Sequence, residues 1–82
     1  MPVVTVLYFA RCREITGKVQ EKVLLPETVS LDNILTELAK VHPALETLRG
    51  KLTVAHNQAY LEGSVQLQST DEIALIPPVS GG

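Results

Sequence analysis

Leu31, Ile34, Leu35, Leu38 and Ala39 recur at i, i+3, i+4, i+7 and i+8, and this single apolar stripe is the strongest constraint on the fold. Ser30 stands where an N-cap belongs, and Asp32 falls in the first turn, where negative charge favours the positive end of the helix dipole. Pro43 ends the segment, because a proline inside a helix loses a hydrogen bond and clashes with the preceding turn. One helix with one stripe covers one face of one sheet, so the chain is expected to be a two-layer α+β domain.

The remaining segments supply that sheet. Val3 to Ala10 (VVTVLYFA) is rich in β-branched and aromatic residues and apolar on both faces, as expected of a central strand. RCREITG reads as a short polar link with room for one helical turn, ending at Gly17, which can adopt a left-handed conformation. Val19 to Leu25 forms a second strand, stopped by Pro26. After the helix, ALETLRG is a connection leading to a third strand in KLTVAHN. VQLQ and EIALIP are further short strands joined through the turn STDE. Strand, strand, helix and three short strands is the order of the ubiquitin-like β-grasp, in which the first and last strands pair in parallel at the sheet centre. VVTVLYFA and EIALIP, the two most apolar runs, suit those two places.

With 82 residues, 45% of them hydrophobic and 20% charged, the chain has enough apolar side chains for one core but not for two. A net charge of -2 without a cluster of Lys or Arg argues against nucleic acid or an anionic membrane as partner. Cys12 has no second cysteine to pair with, which fits a reducing compartment. The opening residues carry no basic n-region and no small-residue cleavage site, and no run approaches transmembrane length, so a cytoplasmic location is expected.

Side-chain chemistry is sparse. His42 and His56 stand singly and read as surface or packing residues, so no metal site is expected. Asp71 and Glu72 are adjacent in a turn, where their side chains diverge, and read as solvated. Cys12 lies between Arg11 and Arg13, and neighbouring cations lower a thiol pKa. Two readings stay open for it: a persulfide carrier, or a free cysteine of no chemical consequence.

The stretch PPVSGG carries a more specific signal, dividing the chain into a domain over residues 1–76 and an extended tail over 77–82. Pro77 and Pro78 hold the backbone extended and deny it helix formation, so six residues from Pro77 reach about 20 Å. Val79 and Ser80 lengthen the arm, and Gly81 and Gly82 lack side chains, so the arm could enter a channel too narrow for other residues. Such an arm delivers its own carboxylate. That group is a poor electrophile and needs activation, most simply by adenylation, after which it could accept a lysine, as in protein tagging, or a sulfur atom.

Three stretches in order resemble one family, the small sulfur-carrier subunits of molybdopterin synthase. YFARCREITG is similar to the family's opening pattern through Tyr8, Phe9, Ala10, Arg13, Glu14 and Gly17, and VAHN resembles the strand bearing the family's usual Asn, here Asn57. DEIALIPPVSGG resembles its most specific signature through Asp71, Glu72, Ile73, Ala74 and Ile76 to Gly82. STDE departs from the family's Asp-Gly-Asp-Glu turn in lacking the Gly, and Ile76 stands where an aromatic residue is common.

The resemblance implies that Gly82 is adenylated by a partner similar to ubiquitin-activating enzymes, with ATP consumed there and no cofactor bound by this chain. It implies conversion to a thiocarboxylate, with sulfur from a donor such as a cysteine desulfurase or rhodanese-like protein. The loaded tail then enters the large catalytic subunit of a heterotetrameric synthase and gives its sulfur to cyclic pyranopterin monophosphate. This chain would be a non-catalytic subunit and co-substrate, with Phe9, Leu61 and Ile76 as apolar contacts to the large subunit. Sulfur carriage to thiamine thiazole or tRNA, and a ubiquitin-like protein tag, are the alternatives.

Overall fold

The computed structural model describes residues 1–78. Its frame is a five-stranded mixed sheet in the order β2-β1-β7-β4-β5, built from β1 (Val3–Tyr8), β2 (Gln20–Leu24), β4 (Thr53–His56), β5 (Ala59–Tyr60) and β7 (Glu72–Ile76). β1 and β7 run parallel, with Val6 opposite Ile73 and Tyr8 opposite Leu75, while β2 and β4 flank them antiparallel. The first and last strands therefore lie side by side inside the sheet, the β-grasp arrangement expected from their apolar content.

Helix α2 (Leu31–Val41) lies across one face of this sheet. Its stripe is met in the structure: Ile34, Leu35 and Leu38 are buried, and Leu31 packs partly buried beside them. Burying a side chain of this size stabilises the fold by about 1.5–3 kcal/mol. Ser30 caps the helix as expected and does so reciprocally, its Oγ accepting from the Asn33 N–H while Asn33 Oδ1 accepts from the Ser30 N–H. From the sheet, Val4, Val6 and Tyr8 of β1, Val54 of β4, and Ile73 and Leu75 of β7 face this helix and complete the core.

Four elements go beyond the sequence expectation. RCREITG is part of a two-turn helix, α1 (Ala10–Thr16), because Cys12 is buried and Ile15 partly buried on one side of it. Its end at Gly17 is the expected left-handed one, with φ 72° and the glycine N–H donating to the Arg13 carbonyl. ALETLRG, expected as a plain connection, contains most of a 3₁₀ helix over Pro43–Leu48 that buries Leu45. Thr28–Ser30 is a short strand, β3, and it pairs with β6 (Ser64–Gln66) in a separate two-stranded ribbon. β5 is the remaining addition, a two-residue strand too short for a periodicity signal.

His42 is a packing residue that closes the core polar-side-in. Its ring meets Tyr8 edge-on at 5.9 Å, and its Nε2 lies 3.1 Å from both Glu21 carboxylate oxygens. The fully buried Tyr8 donates its hydroxyl to Glu21 Oε1 at 3.1 Å, and Lys18 Nζ lies 3.3 Å from Oε2. Burial of Tyr8, with the Glu21 charge beside it, raises the phenol well above its ordinary range. Burial also works against the Glu21 charge, but hydrogen bonds from His42, Lys18 and Tyr8 outweigh it and hold the carboxyl below its ordinary value.

Candidate functional site: the root of the C-terminal segment

Because β1 and β7 are parallel, Phe9 after β1 and Pro77 after β7 arrive at the same edge of the sheet. The chain turns out of β1 through Ala10 at φ 46°, and α1 then runs beside the end of β7. Between them lies a groove of about 530 Å³, lined by Phe9, Ala10, Arg11, Glu14, Ile76, Pro77 and Pro78. Pro77 is buried and Pro78 exposed, so the sheet holds the segment's first residue and releases the second. Val79, Ser80, Gly81 and Gly82 lie outside the described residues.

The groove continues onto the face of the sheet that α2 leaves bare. Strand alternation turns Val3 and Leu7 of β1, Leu24 of β2, Ala74 and Ile76 of β7, and Ala55 of β4 to that side. Val3, Phe9, Leu24 and Tyr60 are each at least 40% exposed. An apolar sheet face of this kind marks a surface built to be covered.

Phe9 and Ile76, expected as apolar partner contacts, thus meet at one groove. Leu61 does not join them. The Leu61 N–H donates to the core-facing Val54 at its carbonyl, and the side chain packs partly buried against the core. In the pairing of β4 with β5, Ala55 faces Tyr60, so Tyr60, 74% exposed, holds the open-face position one residue earlier.

At the opposite end of β7, the residues read as a solvated turn form a connected network. Asp71 Oδ2 lies 2.9 Å from His56 Nε2 and accepts from the Gln68 N–H at 2.9 Å, and Oδ1 accepts from Asn57 Nδ2 at 3.2 Å. The His56 hydrogen bond, followed by those from Gln68 and Asn57, holds the Asp71 carboxyl below its ordinary value. Asn57, at φ 49°, and Gln58, at φ 72°, make the two-residue turn between β4 and β5, a conformation Asn tolerates well. Thr70, at the position that the turn of the resembled family gives to Gly, sits at φ 81°.

Cys12 loses its claim to reactivity. It is fully buried, burial pushes its thiol up, and the flanking arginines are engaged elsewhere: Arg11 with Glu14, and Arg13 Nε with the Tyr8 carbonyl. Among the described residues no group of three metal-ligating side chains comes together, and no helix is long and apolar enough to cross a membrane.

Comparison with known proteins decides the family. A profile described as the ThiS family matches residues 6–82.

The chain belongs to the ThiS family.

Among ThiS-type relatives, the molybdopterin synthase sulfur carrier subunit of Homo sapiens is 42% identical over 82 residues, covering 96% of this chain and 93% of that protein. The subunit of the same name from Arabidopsis thaliana is 39% identical over 79 residues, covering 96% and 82%. In structure, this ThiS-family chain resembles the small archaeal modifier protein 1 of Methanosarcina acetivorans, with a TM-score of 0.81, 31% identity and coverage of 100% and 98%. It also resembles a chain in the complex of subunits 1 and 2 of molybdopterin-converting factor from Helicobacter pylori, with a TM-score of 0.60, 25% identity and coverage of 98% and 99%. These likenesses agree with the ubiquitin-like β-grasp read from the element order.

Proposed function

We propose that this chain is the sulfur carrier subunit of a molybdopterin synthase, and that its reactive group is the Gly82 carboxylate. The observation that carries the proposal is a family match that extends through Gly82, joined to relatives named as that subunit over nearly their whole length. The chain is then a non-catalytic subunit, and the catalytic side chains belong to the large subunit, whose existence as a partner the Helicobacter pylori complex supports.

The chemistry follows from what a main-chain carboxylate needs. A carboxylate oxygen attacks the α-phosphorus of ATP on a separate activating enzyme, pyrophosphate leaves, and an acyl adenylate forms. The outer sulfur of a donor-protein persulfide then attacks the carbonyl carbon and AMP departs, leaving an acyl disulfide. A thiol attacks the donor's sulfur in that S–S bond, forms a disulfide with the donor, and releases the thiocarboxylate. No cofactor on this chain takes part. Pro77 and Pro78 direct the arm away from the sheet, Val79, Ser80 and Gly81 reach into the partner's active site, and the Gly82 thiocarboxylate gives sulfur to cyclic pyranopterin monophosphate. Phe9 and Ile76 seat the large subunit beside the arm. A lone buried Cys12, with no disulfide partner, suits work in the cytoplasm.

Intact-mass measurement tests this reading. After incubation with an activating enzyme, ATP and a sulfur donor, the chain should gain the mass difference between one sulfur and one oxygen atom. A chain lacking Gly82 should gain nothing, and sulfur loading of that shortened chain would defeat the assignment. A second reading, a protein modifier, is favoured by the modifier proteins among the structural relatives. Its signature is a covalent adduct carrying the whole mass of a partner.

A further inference from the structure

β2 is the longer of the two edges of the main sheet, since β5 at the other edge has only two residues. The Tyr8 N–H donates to the Val19 carbonyl and the Leu25 N–H to the Pro2 carbonyl, while Val6 opposes Glu21 and Val4 opposes Val23. Antiparallel pairing alternates, so Val19, Glu21, Val23 and Leu25 turn their backbone groups to β1. Gln20, Lys22 and Leu24 turn their N–H and C=O groups outward, where no other strand lies among the described residues.

Beside this edge runs a second groove, of about 670 Å³, between β2 and the last turns of α2. Val23, Leu24 and Val41 give it apolar surface, and Leu24 and Val41 are 56% and 60% exposed. Lys18, Lys22 and Lys40, three of the chain's four lysines, line it together with Glu21 and Glu37. Lys18 pairs with Glu21 and Lys40 with Glu37, which leaves Lys22 as the lysine of this groove without a carboxylate partner among the described residues. None of the residues lining the groove beside Phe9 and Pro78 belongs to this one.

We infer that the β2 edge is a docking site for an extended, acidic and aliphatic segment of another protein, which adds to the sheet as a sixth strand. Its backbone pairs with the outward groups of Gln20, Lys22 and Leu24. Its aliphatic side chains lie on Leu24 and Val41, and its carboxylates meet Lys22, the groove lysine not already paired. A lysine on an open edge repels basic strands and admits acidic ones, so the same residue that guards the edge selects its occupant. A second copy of this chain is a poor occupant, because antiparallel pairing centred on Lys22 sets the two lysines directly opposite each other.

The test uses the full-length, isotope-labelled chain and the peptide acetyl-Glu-Val-Ile-Val-Glu-Asp-amide as probe, followed by amide NMR. Saturable shifts should centre on Gln20, Lys22, Leu24 and Val41 and weaken with added salt. Lys22→Pro removes one outward donor and leaves the bonds to β1 in place, and it should abolish those shifts. Lys22→Glu, which keeps every backbone group, should weaken binding on the order of tenfold through like-charge repulsion. Absence of saturable shifts, or shifts centred on Phe9 and Ile76, overturns the inference. Shifts at β2 that depend on protein concentration without peptide assign the edge to a second copy and overturn the stated occupant. A chain lacking Gly82 should bind the peptide unchanged, so failure here leaves sulfur carriage untouched.

Discussion

Asn57 and Glu72 are tied together twice: the Asn57 N–H donates to the Glu72 carbonyl at 2.8 Å, and Asn57 Oδ1 accepts from the Glu72 N–H at 2.8 Å. The clamp joins the β4–β5 turn to the first residue of β7, the strand that leads to Pro77. Asn57→Ala removes the acceptor from the Glu72 N–H and places a less tolerant residue at positive φ. The expected loss is about 1–3 kcal/mol, read as a lower urea midpoint at unchanged m-value. Asn57→Gly, which restores the backbone freedom but not the acceptor, should recover part of it.

Thr70 offers the opposite outcome. A β-branched residue at φ 81° is strained, and the left-handed conformation costs an L-residue about 1–2 kcal/mol. Thr70→Gly relieves that strain, while the freer unfolded chain takes back about 0.5–1 kcal/mol. Thermal unfolding should show a Tm higher by a few degrees, and an unchanged or lower Tm would remove the strain argument.

Acid should weaken the fold through Asp71. Its folded-state pKa is depressed, chiefly by the His56 hydrogen bond, so its contribution is fully present above the unfolded-state pKa and disappears as pH falls through the folded one. Stability should therefore decline below about pH 4, near the ordinary aspartate value. Glu21, held low by His42, Lys18 and Tyr8, adds to the same decline. Asp71→Asn should be less stable at neutral pH and lose less on acidification, which parallel urea titrations at several pH values would reveal.

Phe9 and Leu61 should separate binding from stability. Phe9, 40% exposed at the groove, contributes little to the core, so Phe9→Ala should leave the urea midpoint nearly unchanged while weakening association with the large subunit. Leu61→Ala, at a partly buried core position, should cost about 1–3 kcal/mol of stability and spare association once the protein is folded. Calorimetric binding beside urea unfolding distinguishes the two.

Much of this architecture was legible locally. The helix stripe, its Ser30 cap, the left-handed Gly17 and the two apolar strands each follow from residues close together in sequence. Register carried what was not legible. The family resemblance names Leu61 as a partner contact, whereas the register of the two-residue β5 gives the outward place to Tyr60 and leaves Leu61 partly buried against the core. Asp71 and His56 are fifteen positions apart and become partners only through the pairing of β4 with β7, so each reads alone as an ordinary surface residue. The segment that carries the proposed chemistry was conspicuous for another reason: the group proposed to react belongs to the main chain, so the segment needs no side-chain partners to be recognised.

The parallel pairing of β1 with β7 joins strands from the two ends of the described chain. Contacts so far apart in sequence form late, because the intervening chain must first be ordered. A ribosome-bound nascent chain that has made β1, β2 and α2 but not β7 cannot yet fill the centre of its sheet. The groove at Phe9 and the anchoring of Pro77 therefore come into being together with the finished core. Under the proposed function, an activating enzyme that reads this surface accepts only completed molecules, and maturation of the polypeptide serves as its own licence for loading.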